Sequence, residues 1–81
     1  MISRSNGVEY GVVLFHSVSH ALRAERVAVR AGLKIKLIPV PRQFSSNCGT
    51  ALRFHWPDEP AVRRALQEAR MEWQAIHKLE Q

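Results

Sequence analysis

The apolar residues of this chain switch between a period of two and a period of about 3.6 in a fixed order. Residues 10–15 (YGVVLF) form an almost unbroken apolar run, short and partly β-branched, as a strand buried on both faces does. Ala24, Val27, Ala28 and Ala31 then recur at i, i+3, i+4 and i+7, one face of a helix. Ser17 or Ser19 can cap its start, because a serine oxygen accepts a free first-turn amide. Gly32 ends it, being the residue that most easily turns left-handed at C′. Leu33, Ile35 and Leu37 alternate with Lys34 and Lys36, the pattern of a strand with one wet face. Pro39 and Pro41 stop regular ladder pairing or confine it to an edge. Residues 42–49 (RQFSSNCG) form a polar connector. Leu52, Phe54 and Trp56 alternate with Arg53 and His55 in a third strand. Pro57 and Asp58 open a second helix, with Asp58 as cap and Pro60 tolerated in the first turn. Val62, Ala65, Leu66 and Ala69 repeat the helical spacing. A fourth strand is expected within residues 73–79, with Trp73, Ala75 and Leu79 on one face.

The order is strand, helix, strand, strand, helix, strand. Right-handed crossovers turn that order into an α+β, ferredoxin-like βαββαβ sandwich, a four-stranded antiparallel sheet with two helices on one face. Residues 1–9 read as a short leader and 10–79 as a single domain. The chain has 81 residues, too few for separate cofactor and substrate domains, and chains of this size bury only about 60% of their unfolded surface. Apolar residues make up 46% and charged residues 23%, which excludes a disordered tail. No run approaches the roughly 18 apolar residues of a membrane span, so no membrane partner is expected. The polar start, carrying Glu9, is unlike a signal peptide. A lone free thiol suits a reducing compartment, so the expected location is cytoplasmic.

The net charge is +5, and it is uneven. Arg23, Arg26, Arg30, Lys34, Lys36, Arg42 and Arg53 are opposed within their stretch only by Glu25. A one-sided field favours an acidic partner, nucleic acid or a small anion, although such charges are commonly a solvated face.

The expected topology gives the single cysteine a neighbourhood. The first strand should end where the second ends and the third begins, which is also where the first helix starts. Cys48 would then lie near His16, Ser17, Ser19 and His20. A helix start carries about half a positive charge and free amides. Ser45, Ser46 and Asn47 can add hydrogen bonds, Gly49 can turn backbone amides toward the sulfur, and Arg42 and Arg53 flank the connector. Each effect favours the thiolate, the reactive form. The bland alternative is an inert cysteine filling core space. With no second cysteine, an internal thioredoxin-like cycle is excluded. A lone thiolate can attack a substrate, sense oxidation, bind a metal, or hold a transferable atom as a persulfide or its selenium analogue.

Residues 38–54, IPVPRQFSSNCGTALRF, resemble the signature of a family of small bacterial domains, the selenium/sulfur carrier protein-like family. The resembling features are VVLFHSVSHALRAE, then Pro39, Pro41 and Arg42, then Ser45, Ser46, Cys48 and Gly49, then Ala51, Leu52, Arg53 and Phe54. The likeness spans about residues 10–79. It implies that Cys48 carries the chalcogen, that Ser45, Ser46 and Gly49 shape its loop, and that Arg42 and Arg53 border it. The expected role is then a non-catalytic carrier. It would take sulfur or selenium from a donor such as a cysteine desulfurase or selenocysteine lyase and pass it to an acceptor protein, with no cofactor. Apart from the resemblance, their expected placement near the connector makes His20 and Arg53 candidate helpers of the thiol.

Two other classes compete. A basic regulatory or nucleic-acid-binding module would use the positive surface. TALRFHW, however, lacks the glycine and aromatic spacing of an RNA-recognition strand, and no GxxG loop is present, so nucleic acid is not an expected partner. A metal-binding domain would use His16, His20 and Cys48, but a serine cap leaves His16 outside the helix and there is no HExxH pattern. No phosphate loop, dinucleotide fingerprint or paired-carboxylate site supports a hydrolase. A homodimer is compatible with the small core.

Overall fold

The computed structural model describes residues 8–44 and 48–79. The elements are β1 (Tyr10–Leu14), α1 (Val18–Arg30), β2 (Ile35–Pro39), β3 (Thr50–His55), a 3-10 turn (Trp56–Asp58), α2 (Glu59–Glu68) and β4 (Ala75–Lys78). The four strands form one sheet in the order β2-β3-β1-β4, and every neighbouring pair is antiparallel. This is the ferredoxin-like arrangement that the order of periods implies.

Strand alternation sorts the apolar residues onto two faces. Val13, Leu52 and Phe54 pack with Ala21, Ala24 and Ala28 of α1 and Val62 and Leu66 of α2. Small alanines line the buried side of α1, so the helix can approach the sheet closely. The other face is not simply wet. Val12, Leu14 and Ala51 are fully or almost fully buried there, under Ile38, Val40, Phe44, Ala75 and Leu79. Phe44 belongs to the connector expected to be polar. It folds over this helix-free face and stacks on His77, with ring centroids 4.4 Å apart.

The helix ends are set by local chemistry. Ser17 is the α1 cap, and its hydroxyl accepts the His20 amide at 3.3 Å. Ser19, the alternative cap, lies inside the helix. At the far end Gly32 takes φ +80°. Its amide donates to Val29 at 3.0 Å and the Leu33 amide to Ala28 at 3.0 Å, the paired bonds of a Schellman motif. Ala31, expected on the buried face, is the C-cap and is exposed. α2 ends with the same pair of bonds, Arg70 to Gln67 and Met71 to Leu66, each 2.9 Å. Here the left-handed residue is Arg70, at φ 57°.

Three boundaries differ from the sequence expectation. Asp58 holds the cap position of α2 but makes no side-chain capping bond, because a 3-10 turn already leads into the helix. Trp56 starts that turn rather than ending β3, and stacks on Phe54 at 6.0 Å between centroids. β4 is shorter than residues 73–79, and Trp73 packs on the helix side while Ala75 and Leu79 pack on the other.

Candidate functional site

The strand registers fix the edge on which Cys48 lies. Leu14, the last residue of β1, pairs with Ala51 near the start of β3, and Pro39, the last of β2, pairs with Thr50. The Val40 amide donates to Gly49 at 3.2 Å, extending that pairing by one step. α1 begins at Val18, four residues past the end of β1. Cys48 therefore enters the sheet at the edge where α1 starts, as the topology requires.

The sulfur is covered rather than open to solvent. Cys48 is only 2% exposed and joins the core cluster that contains Phe15, Ala21 and Met71. The strand parity of residues 48–54 explains this. Leu52 and Phe54 face the helices, and Cys48, two residues before β3 begins, points the same way. Its Sγ receives the Thr50 amide at 3.4 Å and donates to the Thr50 carbonyl at 3.2 Å.

Not all of the named residues lie on the sulfur's side of the sheet. Ser17 and His20 are joined to each other, with Ser17 Oγ 2.6 Å from His20 Nδ1 and 3.1 Å from Ser19 Oγ. His16 and His20 are both exposed. Arg42 is exposed in the turn closed by the Phe44 amide on the Pro41 carbonyl at 3.0 Å. Arg53 sits on the helix-free face, opposite to the cysteine, with its guanidinium 4.1 Å from the Tyr10 ring centroid. Gly49 is exposed, has no positive φ, and an added Cβ would meet nothing within 4 Å among the described residues. Among the described residues, the backbone amide that donates to the sulfur is that of Thr50. Ser45, Ser46 and Asn47 lie outside the described residues. Among the described residues, no three of His, Cys, Asp and Glu are placed to hold a metal ion.

One neighbouring feature was hidden from sequence reasoning. His16, Met71, Glu72 and Trp73 line an open depression. Met71 also belongs to the Cys48 cluster, so the depression ends on a side chain that shares the thiol's core. Its residues come from two chain segments that only the sheet edge brings together. Among the described residues, no helix is long and apolar enough to cross a membrane.

Comparison with known proteins gives one match. A family model described as putative Se/S carrier protein-like matches residues 10–78. Neither a curated protein nor a solved structure matches the chain.

Proposed function

The chain belongs to the Se/S carrier protein-like family, and from that premise we propose that Cys48 is the cargo-bearing atom of a sulfur or selenium carrier. The observation that carries this reading is the chain's single cysteine, held by the Thr50 backbone at the sheet edge where α1 begins. A carrier of sulfur or selenium needs a soft nucleophile, and the sequence holds no other thiol.

Loading needs no external oxidant. The Cys48 thiolate attacks the outer sulfur of a donor enzyme's persulfide. A new S–S bond forms at Cys48, the donor's S–S bond breaks, and the electron pair leaves with the donor thiolate. The selenium case is the same exchange at a donor's S–Se bond. Delivery reverses the roles, with an acceptor nucleophile attacking the terminal atom and Cys48 leaving as thiolate. Thiol–disulfide chemistry sets the rates of such exchanges. Burial of Cys48 adds a step, because residues around the sulfur must part before a donor reaches it. The depression over Met71 is the natural place for that opening. A cysteine desulfurase or selenocysteine lyase fits the donor role, and a reducing, cytoplasmic setting suits the free thiol.

Intact-mass spectrometry tests the proposal. After incubation with a desulfurase and cysteine, or a selenocysteine lyase and selenocysteine, the protein should gain one sulfur or one selenium atom. Cys48→Ala should gain none. Absence of any adduct on the unmutated protein, under conditions that load another carrier, would overturn it.

A further inference from the structure

The half of the helix-free face beyond the Phe44 cover gathers cations around two rings. Tyr10, Lys34, Lys36, Arg53 and His55 line a recess of about 110 Å³, together with Ile35 and Phe54. Tyr10 and His55 are register partners on the two central strands, with ring centroids 5.5 Å apart and planes tilted by 47°. The Arg53 guanidinium lies over the Tyr10 ring, and Lys36 is the register partner of Arg53 on β2. No carboxylate lines the recess. The ion pairs among the described residues, Arg63 with Glu59 and Lys78 with Glu9, leave Lys34, Lys36 and Arg53 unneutralised. Cys48 packs on the other side of the sheet, so this surface is separate from the proposed cargo site.

We propose that this recess binds a short stretch of single-stranded nucleic acid. The phosphates would lie against Lys34, Lys36 and Arg53, and one base against the Tyr10, Arg53 and His55 group. Every base has a π face and every linkage a negative charge, so rings flanked by cations suit this ligand without base-specific bonds. Both aromatic rings and guanidinium planes stack bases. The third strand lacks an RNA-recognition pattern because Phe54 faces the core. The outward rings come instead from Tyr10 and His55, on two different strands.

An acidic protein segment fits less well. It would be expected to add as a strand along an open sheet edge. The β2 edge ends in Pro39, which has no amide to donate, and carries Lys36, with Lys34 just before the strand, residues that discourage edge pairing. A carboxylate ligand would also leave the ring pair unused. The recess is well below the roughly 300–1,000 Å³ of enclosed small-molecule sites. It suits one nucleotide of a chain lying across the sheet.

Fluorescence anisotropy of the full chain with a labelled oligouridine of about ten nucleotides tests the proposal. Binding should be saturable, with a log–log salt slope near −2, from three phosphate contacts at about 0.7 each. Lys34→Gln combined with Lys36→Gln should weaken binding and bring the slope to about −0.7. Tyr10→Leu should cost about tenfold in affinity with the slope unchanged. Both lysines are exposed, so the double variant reports even if Tyr10→Leu disturbs β1. No saturable binding at low salt would overturn the proposal. So would an unaffected lysine double variant, or an equal loss from Arg23→Gln with Arg26→Gln on the exposed side of α1. Competition by polyglutamate as effective as that by unlabelled oligouridine would also overturn it, in favour of an acidic protein ligand.

Discussion

The Thr50 backbone holds the Cys48 sulfur from two sides, its amide donating to Sγ at 3.4 Å and its carbonyl accepting from Sγ at 3.2 Å. With the residue 2% exposed, thiol chemistry must wait for a local opening. Ellman's reagent should therefore react with the native protein at least about a hundredfold more slowly than with the chain in strong denaturant. The carrier reading adds a sharper expectation. The native rate should stay nearly flat across low urea, because a loop that opens by itself exposes little surface. A rate that climbs in step with global unfolding would mean that only the unfolded chain presents the thiol, and would count against loading of the folded carrier.

Cys48→Ala removes the cargo atom and one small piece of the core. The cavity left by a single sulfur is modest, so the expected loss is about 1 kcal/mol, near the low end for core truncations. For a domain of this size that lowers Tm by roughly 4–8 °C. Circular dichroism should thus show a folded variant that takes up no sulfur or selenium. A variant that is unfolded at room temperature would show that the thiol is mainly a packing residue.

The fold was legible because the two helices and the middle two strands each carry their own spacing, the first strand is a short apolar run, and one topology accommodates the order. The position of Cys48 followed from that topology alone. Its burial did not, because the polar run SSNCG suggests an exposed turn, and only the parity of β3 reveals that position 48 faces the helices with Leu52 and Phe54. The same parity, applied outward, would have placed Arg53 on the helix-free face, away from the sulfur. Phe44 was hidden for a different reason. A single aromatic among polar residues has no period, so nothing local says that it packs against the cluster of Val12, Leu14 and Ala51 and stacks on His77. The cap of α1 was narrowed to two serines, and the bond from the His20 amide selects Ser17.

The two helices end with the same hydrogen-bond pattern but different residues in the left-handed position. Gly32 adopts φ +80° without strain, whereas Arg70 at φ 57° bears the Cβ penalty of that region. Arg70→Gly should therefore raise stability by about 0.5 kcal/mol, the steric relief of roughly 1 kcal/mol being partly offset by the larger entropy of glycine in the unfolded chain. Gly32→Ala should lower it by about 1 kcal/mol. Urea denaturation monitored by tryptophan fluorescence measures both. Opposite signs are the expected outcome, and a destabilising Arg70→Gly would mean that the arginine side chain makes a contact worth more than its strain.

Gly11 lies opposite Phe54 in the central strand pair, and the space above its Cα is already taken. A Cβ there would stand 2.5 Å from Phe54 Cζ, 2.9 Å from Phe54 Cε2 and 2.7 Å from Trp56 Cε3. Phe54 is 1% exposed and cannot swing toward solvent, whereas Trp56 is only partly buried and can yield. Replacement of glycine by alanine usually gains about 0.4–1 kcal/mol through the unfolded state where the conformation allows it. Overpacking against a fixed ring costs about 1–3 kcal/mol and should dominate. Gly11→Ala is therefore expected to destabilise. The cause can be isolated by repeating the substitution in a Phe54→Leu background, where the ring atoms facing position 11 are gone. The penalty should shrink there, giving a coupling of at least about 0.5 kcal/mol in a double-mutant cycle. An unchanged penalty would place the strain in the β1 backbone rather than in the ring that lies across it.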